Sequence, residues 1–247
     1  MRRLRITLIL IALPLLTGIF FAVSKKKPET IPLPPAQSYN STASSQTQSP
    51  APSEPETALP AEVNLAIPFT SQAPHQNWDL PYQQFCEEAS VLMAASFVKG
   101  ENILGPDDSD KKMLAIKDFE EKKFGYYEDT TAEETAVILR ENFELANVEV
   151  VFDPTSEKIK KALAGSKAVI LPLAGREIGN PNYRQPGPLY HMLVVKGYTK
   201  NGNLITNDPG TRKGADYVYK PDVLLNAIHD WNGGNVDAGK KVMIIVG

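Results

Sequence analysis

The chain opens with an uncharged stretch that is too apolar to lie on the surface of a globular domain. Three arginines lie within residues 1–5, no charged residue occurs in residues 6–24, and three lysines follow at residues 25–27. A helix of about 19 residues, at about 1.5 Å per residue, spans the roughly 30 Å hydrocarbon core of a bilayer. We therefore predict that residues 1–27 form a signal or anchor segment that enters a membrane.

Two fates are open for this segment. Ala22 and Ser24 are small residues at a spacing that suits signal cleavage, after which the protein would be secreted. The length of the stretch and the lysines that follow it suit an uncleaved single-pass anchor in the cell membrane. In both cases the arginine cluster is expected to stay in the cytoplasm. We therefore expect an extracytoplasmic domain.

Residues 28–62 have the composition of a linker. They consist largely of Pro, Ser, Thr, Gln and Ala, with almost no large aliphatic residues. Such a segment cannot bury enough apolar surface to offset the entropy lost on ordering. We predict a disordered, partly extended tether here, and a folded domain over residues 63–247.

Charge and cysteine content exclude several classes of protein. A formal net charge of −3 argues against a nucleic-acid-binding domain, and no nucleic-acid partner is expected. The chain has one Cys, so no intramolecular disulfide can form. With only three widely spaced His, this thiol lacks the partners of a zinc site. We predict neither a metal nor a cofactor.

Within the domain, helices are predicted early and strands late. Apolar residues at helical spacing run from Cys86 to a stop at Gly100 and lie on more than one side, which predicts a central buried helix. Asn201-Gly202 predicts a two-residue hairpin turn. Further helices are predicted over 108–124, 132–143, 156–164 and 223–231, and strands over 148–152, 168–173, 191–198, 204–207, 217–219 and 241–246. This order is typical of an α+β fold.

Cys86, His191 and Asp208 are candidates for thiol chemistry. Cys86 opens the buried helix, where free backbone amides favour a thiolate. His191 opens a strand and can act as the base, and Asp208 ends the returning strand and can orient the imidazole. With a two-residue turn, Val195 pairs with Asp208 across the two strands. His191 and Asp208 then lie on the same face of the sheet, but about 13 Å apart along the strands. A one-residue slip would present Asn207, the alternative orienter.

The neighbours of Cys86 affect both its ionisation and the stabilisation of an oxyanion. Acidic residues such as Glu87 and Glu88 are normal in a first helical turn, but a carboxylate close to the thiol opposes its ionisation. The side-chain amide of Gln72 can donate to a developing negative oxygen. Gln83 and Gln84 are alternatives because they lie nearer to Cys86 in the chain.

A Gly- and Pro-rich loop over residues 175–190 directly precedes His191. Loops this long in compact domains are commonly functional. We predict that Tyr183 and Tyr190 in this loop contact substrate. Trp78 is expected to shape the mouth of the cleft and to contact substrate as well.

Two sequence blocks carry a resemblance to a known family. The blocks IPFTSQAP…WDLPYQQFCEEASVLMA and YHMLVVKGYTKNGNLITNDPG resemble the bacteriocin-processing, double-glycine-leader cysteine peptidases and their stand-alone relatives, in the papain-like superfamily. The resemblance implies an α+β papain-like cysteine peptidase fold, with a central N-terminal helix packed on a C-terminal antiparallel sheet. It also implies that Gln72 supplies the oxyanion hole, Cys86 the nucleophile, His191 the base and Asp208 its orienter. Many members have Gly after the Cys, where this chain has Glu87.

These observations predict an extracytoplasmic cysteine peptidase or related amide hydrolase that acts on peptides or cell-wall peptides. The protein is expected to be a monomer that meets the membrane through its N-terminal segment. Two alternatives stay open. One is a catalytically inactive module of the same fold that binds peptide or glycan, and the other is an acyltransferase or transpeptidase that transfers the acyl group to an amine.

Overall fold

The computed structural model of the chain describes residues 31–39 and 58–247. The predicted signal or anchor segment, residues 1–27, lies outside these ranges. Within the described ranges, no helix combines the length and the apolar character that crossing a bilayer requires.

The described elements follow the predicted order, with most helices preceding most strands. The helices are α1 (Cys86–Lys99), α2 (Pro106–Phe124), α3 (Ala132–Val137), α4 (Ser156–Ala164) and α5 (Pro221–Ala227), with a π-helical turn at Ile138–Asn142 and 3₁₀ turns at Tyr82–Gln84 and Val236–Ala238. The strands are β1 (Val63–Asn64), β2 (Val148–Phe152), β3 (Ala168–Ala174), β4 (Tyr190–Tyr198), β5 (Leu204–Asn207), β6 (Tyr217–Tyr219) and β7 (Val242–Val246).

The strands of the described ranges form one antiparallel sheet in the order β2-β7-β3-β4-β5-β6, and β1 pairs with the end of β4. Every residue of β3 and β4 is buried. Central strands that are covered on both faces read as continuous apolar runs, which is how both strands appear in the sequence. The sheet therefore has a fully enclosed centre, and β4 is the strand that begins next to His191.

Helix α1 is the central element of the helical layer and packs on β3 and β4. Its residues from Cys86 to Phe97 are all buried. The helix ends at Gly100, whose φ of 66° lets its amide donate to the carbonyls of Phe97 and Ser96. The predicted α+β class, with a central N-terminal helix on a C-terminal antiparallel sheet, is confirmed.

Three buried carboxyl groups lie at the contact between α1 and α2. Glu87 and Glu88 on α1 and Glu120 on α2 are each at most 1% exposed. Burial, and then the charge of Glu120, raises the pKa of Glu88, and none of the four carboxyl oxygens of Glu88 and Glu120 has a hydrogen-bond partner within the described residues. Because two buried carboxylates repel, this arrangement favours the protonated form of these side chains.

The β4–β5 hairpin differs from its predicted register. The amide of Thr199 donates to the carbonyl of Asn203, so the turn contains three residues, and Gly202 takes a φ of 80° within it. This turn shifts the pairing by one residue, and a bulge between Val195 and Gly197 shifts it by one more. The two-residue turn was therefore wrong. The shift brings Asp208 two residues closer to His191 than the sequence predicted.

Part of the predicted linker packs against the domain, which corrects the expectation of a free tether over residues 28–62. Gln37 forms a parallel bridge with Leu65, and its amide donates to the carbonyl of Asn64 over 2.7 Å. The ring of Tyr39 meets that of Phe97 edge to face at 5.4 Å. The physical reason is the free edge of β1. Its backbone amides and carbonyls need hydrogen-bond partners, and the non-proline residues of the Pro-rich segment provide some of them.

The buried carboxyl groups should make stability fall as pH rises. Burial, and then the charge of Glu87, raises the pKa of Glu120 from its ordinary value of 4.5 to about 9. A raised folded-state pKa gives stability that is complete below the unfolded value and is lost as pH rises through the folded value. Between about pH 5 and about pH 9, the free energy of unfolding of the wild type should fall as Glu120 ionises. In Glu120→Gln we expect this fall to be smaller by on the order of a few kcal/mol.

Urea unfolding at a series of pH values measures this effect. Glu157→Gln, on the exposed face of α4, is the matched control and should leave the wild-type pH dependence unchanged. Equal pH dependence in Glu120→Gln and wild type would contradict the assignment.

Candidate active site

The candidate site lies at one end of the central sheet. The end of β3, the beginning of β4 and the end of β5 meet there, because neighbouring strands run antiparallel. The loop 175–189 joins β3 to β4, and the loop 208–216 joins β5 to β6 at the same end. This topology brings His191 and Asp208 to one edge, although 17 residues separate them in the chain.

The structure brings His191 and Asp208 into contact. The Nε2 atom of His191 lies 3.0 Å from Oδ1 of Asp208, and both side chains are at most 1% exposed. The other ring nitrogen, Nδ1, makes no hydrogen bond within the described residues. With Nε2–H held by the carboxylate, Nδ1 is the basic nitrogen that remains for a proton acceptor role.

The Asp208 carboxylate is held by a dense set of donors. Besides His191, it accepts from Tyr183 Oη, Tyr219 Oη, Asn180 Nδ2 and the backbone amide of Gly210, at 2.6–3.0 Å. Burial raises the pKa of Asp208, but the charge and hydrogen bond of His191 and the two Tyr hydroxyls outweigh it, so the pKa lies below its ordinary value. Asp208 is therefore an anion fixed in position.

Asn207, the alternative orienter, points elsewhere. Its Nδ2 donates to the carbonyls of Ile67 and Pro68, at 3.0 and 3.2 Å, and its Oδ1 accepts from the amide of Asp216. The amide of Asn207 therefore ties the opening segment of the domain to β5. Asp208 is the residue that bonds to His191.

Cys86 lies at the start of α1, against the backbone of β4. The backbone of Met192, the residue after His191, acts to lower the pKa of the thiol. The thiol also donates to Oε2 of Glu87 over 2.9 Å. Burial raises the pKa of Cys86 well above its ordinary value, and the charge of Glu87 and this hydrogen bond add to the effect. Burial and Glu87 therefore both oppose the thiolate at this position.

Glu87 is itself perturbed. Burial raises its pKa from 4.5 to about 8, with the charge of Asp129 adding to the rise and the hydrogen bond from Cys86 opposing it. Its Oε1 has no hydrogen-bond partner within the described residues. Below about pH 8 this side chain is mostly neutral and above it mostly charged, so its effect on the thiol grows with pH.

Gln72 is fixed by two contacts. Its Nε2 donates to the carbonyl of Tyr82 over 3.0 Å, and its backbone amide donates to the carbonyl of Pro209. A side-chain amide has two N–H groups, so one hydrogen remains after the bond to Tyr82. Gln83 and Gln84, the alternatives, lie in the 3₁₀ turn before Cys86.

A cleft of about 790 Å³ adjoins this end of the sheet, and both Gln72 and Gln83 line it. Two of the predicted substrate contacts, Trp78 and Tyr183, also line it. Tyr190 does not: its ring is buried, and its hydroxyl donates to the carbonyl of Thr130 and to Asp230. Cys86 and His191 are not in the lining either. Gly210 and Tyr183 connect the cleft to the imidazole.

Several positions that shape the site were missed by the sequence analysis. Asn180 and Tyr219 donate to Asp208, and each stands alone in the sequence with no motif to mark it. Gly210 is marked only by the Asp-Pro-Gly step, which reads as a turn. A Cβ at Gly210 would lie 2.9 Å from Cε1 of His191 and from Cε1 of Tyr183, so the imidazole requires a glycine there.

Metal chemistry was not predicted. Among residues 31–39 and 58–247, no group of three or more His, Cys, Asp or Glu side chains is arranged to hold a metal ion.

Comparisons with known proteins agree with the resemblance drawn from the two sequence blocks. Residues 64–233 match the model of the Peptidase_C39 like family. This match confirms the predicted family, and the central helix on the antiparallel sheet confirms the predicted α+β class. A search of curated proteins found no match.

Two solved structures are similar in part. One, described as a C39-like peptidase from Bacillus anthracis, is 14% identical, with a TM-score of 0.49 over 75% of this chain and 97% of that chain. The other is a fragment of Prevotella intermedia prointerpain A with a Cys→Ala mutation. It is 17% identical, with a TM-score of 0.37 over 57% of this chain and 41% of that chain.

Glu87→Gln should lower the pKa of the Cys86 thiol. The thiol titrates in the range where Glu87 carries its charge, and the amide removes that charge while keeping the size of the side chain. The absorbance difference between each protein and its Cys86→Ala counterpart, followed against pH, measures the change, because the chain has one Cys and the subtraction removes the signal of its nine Tyr. Glu157→Gln serves as the control. Superimposable titrations of Glu87→Gln and wild type would show that Glu87 does not govern the thiol.

Proposed function

The chain belongs to the Peptidase_C39 like family, and from this premise we propose that it is an extracytoplasmic cysteine peptidase or related amide hydrolase. Cys86 is the nucleophile, His191 the general base and Asp208 the residue that orients His191. One observation supports this most: the 3.0 Å contact of His191 with Asp208, on strand β4, against which the helix that begins at Cys86 packs.

Acylation begins with transfer of the Cys86 proton to Nδ1 of His191. The sulfur attacks the substrate carbonyl carbon, and the carbonyl π electrons move to oxygen. As the tetrahedral intermediate collapses, the C–N bond breaks and His191 returns the proton to the leaving amine. The product is a thioester on Cys86, and the negatively charged Asp208 stabilises the imidazolium that forms along the way.

Deacylation repeats these steps with water. His191 removes a proton from water, the hydroxide attacks the thioester carbon, and the C–S bond breaks as the sulfur recovers the proton from His191. Carboxylic acid and free thiol result, which balances the cycle.

Two donors are available for the oxyanion. The first-turn amides of a helix have no partner within the helix, so the amide of Cys86 can donate to a charge that develops beside its own sulfur. Gln72 Nε2 can supply the second bond with the hydrogen that Tyr82 leaves unused. The carbonyl of Tyr82 holds the amide in one orientation, which reduces the entropy that would be lost on binding.

The raised pKa of the thiol sets a condition on this mechanism. Burial and Glu87 oppose the thiolate, so the proton passes from Cys86 to His191 in only a fraction of the free enzyme, and substrate binding increases that fraction. The oxyanion meets its two donors only after the sulfur has attacked, so these donors stabilise the transition state more than the bound substrate.

The proposed extracytoplasmic location and the proposed contact with the membrane both rest on the sequence of residues 1–27. The arginine cluster on one side of the uncharged stretch favours an orientation in which the domain lies outside. Peptides or cell-wall peptides are the substrates proposed, and the protein is proposed to act as a monomer.

A second candidate is a binding module without turnover. The hydrogen bond from Cys86 to Glu87 favours this candidate, because a buried thiol beside a carboxyl is poorly ionised and therefore a weak nucleophile. Such a module would use the same cleft for peptide or glycan.

Hydrolysis and its dependence on Cys86 separate the two candidates. The full-length protein is incubated with a defined pool of synthetic peptides, and new termini are identified by mass spectrometry. We expect cleavage by wild type and a loss of at least about 10³-fold in Cys86→Ala, since the nucleophile is removed. Cys86→Ala should still bind peptide. Binding by wild type without any Cys86-dependent cleavage would contradict the peptidase and favour the binding module.

A further inference from the structure

The cleft beside the candidate active site is lined by three cationic side chains and no acidic one. Arg184, Arg212 and Lys213 belong to the lining, together with Gln72, Trp78 and Tyr183, and no Asp or Glu is among the lining residues. This composition is unexpected in a chain with a formal net charge of −3. The charge of the cleft is therefore opposite in sign to that of the whole chain.

The three cations have no partners of their own. Within the described residues, none of their side chains makes a salt bridge or a hydrogen bond. Several other cations of the described residues are paired: Lys196 lies 2.7 Å from Asp216, and Lys112 lies 2.9 Å from Asp108. Since an ion pair would cancel most of the local field, the unpaired cations of the cleft keep their full attraction for an external anion.

The topology gathers these charges from two separate loops. Arg184 lies in the loop 175–189 that precedes β4, and Arg212 and Lys213 lie in the loop 208–216 that follows β5. The same two loops carry Tyr183, which bonds to Asp208, and Gly210, which contacts His191. Folding of the site therefore places the cations along the approach to the imidazole and to Gln72.

A carboxylate fits these groups best. The guanidinium groups of Arg184 and Arg212 present paired N–H donors that match the two oxygens of a carboxylate, and Lys213 adds a point charge. Walls of low polarisability concentrate the field of such charges within a cleft. The exposed indole of Trp78 offers apolar surface for the rest of a peptide.

We propose that this cleft selects substrates that carry a carboxylate, held by Arg184, Arg212 and Lys213, so that the enzyme prefers acidic peptides. The proposal rests on the proposed peptidase function for its catalytic part, but the preference is a property of binding. The carboxylate can come from an acidic side chain or from the free C-terminus of the peptide, and the test separates these sources.

The test uses one defined pool of synthetic peptides made in four forms. Each peptide has either Glu or Gln at its acidic positions and either a free or an amidated C-terminus. Binding of each form is measured with full-length Cys86→Ala, and cleavage of each form with the wild type. Two triple variants are compared in the wild-type and the Cys86→Ala backgrounds. The cleft triple combines Arg184→Gln, Arg212→Gln and Lys213→Gln. The control triple combines Lys111→Gln, Lys122→Gln and Lys220→Gln. Both triples remove the same charge from exposed positions, and only the first lies in the cleft.

We expect at least one carboxylate-bearing form to bind about tenfold more tightly than the form with Gln and an amidated end, with the preference falling as salt is raised. Loss of that preference in the cleft triple, and its retention in the control triple, would support the proposal. The Glu arm and the free-terminus arm then identify which carboxylate is held. Equal binding of all four forms, or equal loss in both triples, would overturn it.

Failure of the peptidase function gives a different result. In that case no form is cleaved in a Cys86-dependent manner, while the binding preference still decides whether the cleft selects carboxylates.

Discussion

The buried carboxylate of Asp208 is the charge on which the arrangement of the candidate site depends. It directly follows the last residue of β5, and it accepts hydrogen bonds from other segments of the chain, including those from Tyr183, His191 and Tyr219. A buried anion is tolerated only when it is this well satisfied. The same bonds that stabilise the anion therefore fix the imidazole, hold the long loop before β4, and set the walls of the adjoining cleft.

The sequence predicted the elements that carry their own local signals. The buried helix from Cys86 to its Gly100 stop, and the strand that opens at His191, follow from apolar spacing and helix-end chemistry, and the structure has both. The hairpin register was wrong because a three-residue turn and a bulge each shift the pairing by one, and neither leaves a mark as clear as Asn201-Gly202. The family resemblance predicted that Asp208 orients His191. It did not predict the strand register that brings the two side chains together.

Contacts between residues far apart in the chain lay beyond the sequence. Nothing marks Glu120 as the buried partner of Glu88, because an acidic residue on an amphipathic helix normally faces water. Gln37 was assigned to a free tether on composition, which carries no information about the exposed edge of β1. The burial of the thiol beside Glu87 is the finding with most weight for function, since both effects oppose the thiolate and the imidazole must overcome them.

The central claim is that His191 activates Cys86, and the alkylation rate of the single thiol tests it most directly. Iodoacetamide reacts with the thiolate, so its rate constant near neutral pH reports the ionised fraction of Cys86. The wild type should react at least about tenfold faster than His191→Ala, since one pKa unit changes the thiolate fraction tenfold. His229→Ala, at a histidine whose Nδ1 is hydrogen-bonded to Gly239, is the matched control and should react like the wild type. Equal rates in all three proteins would show that the sulfur and the imidazole of His191 do not act together.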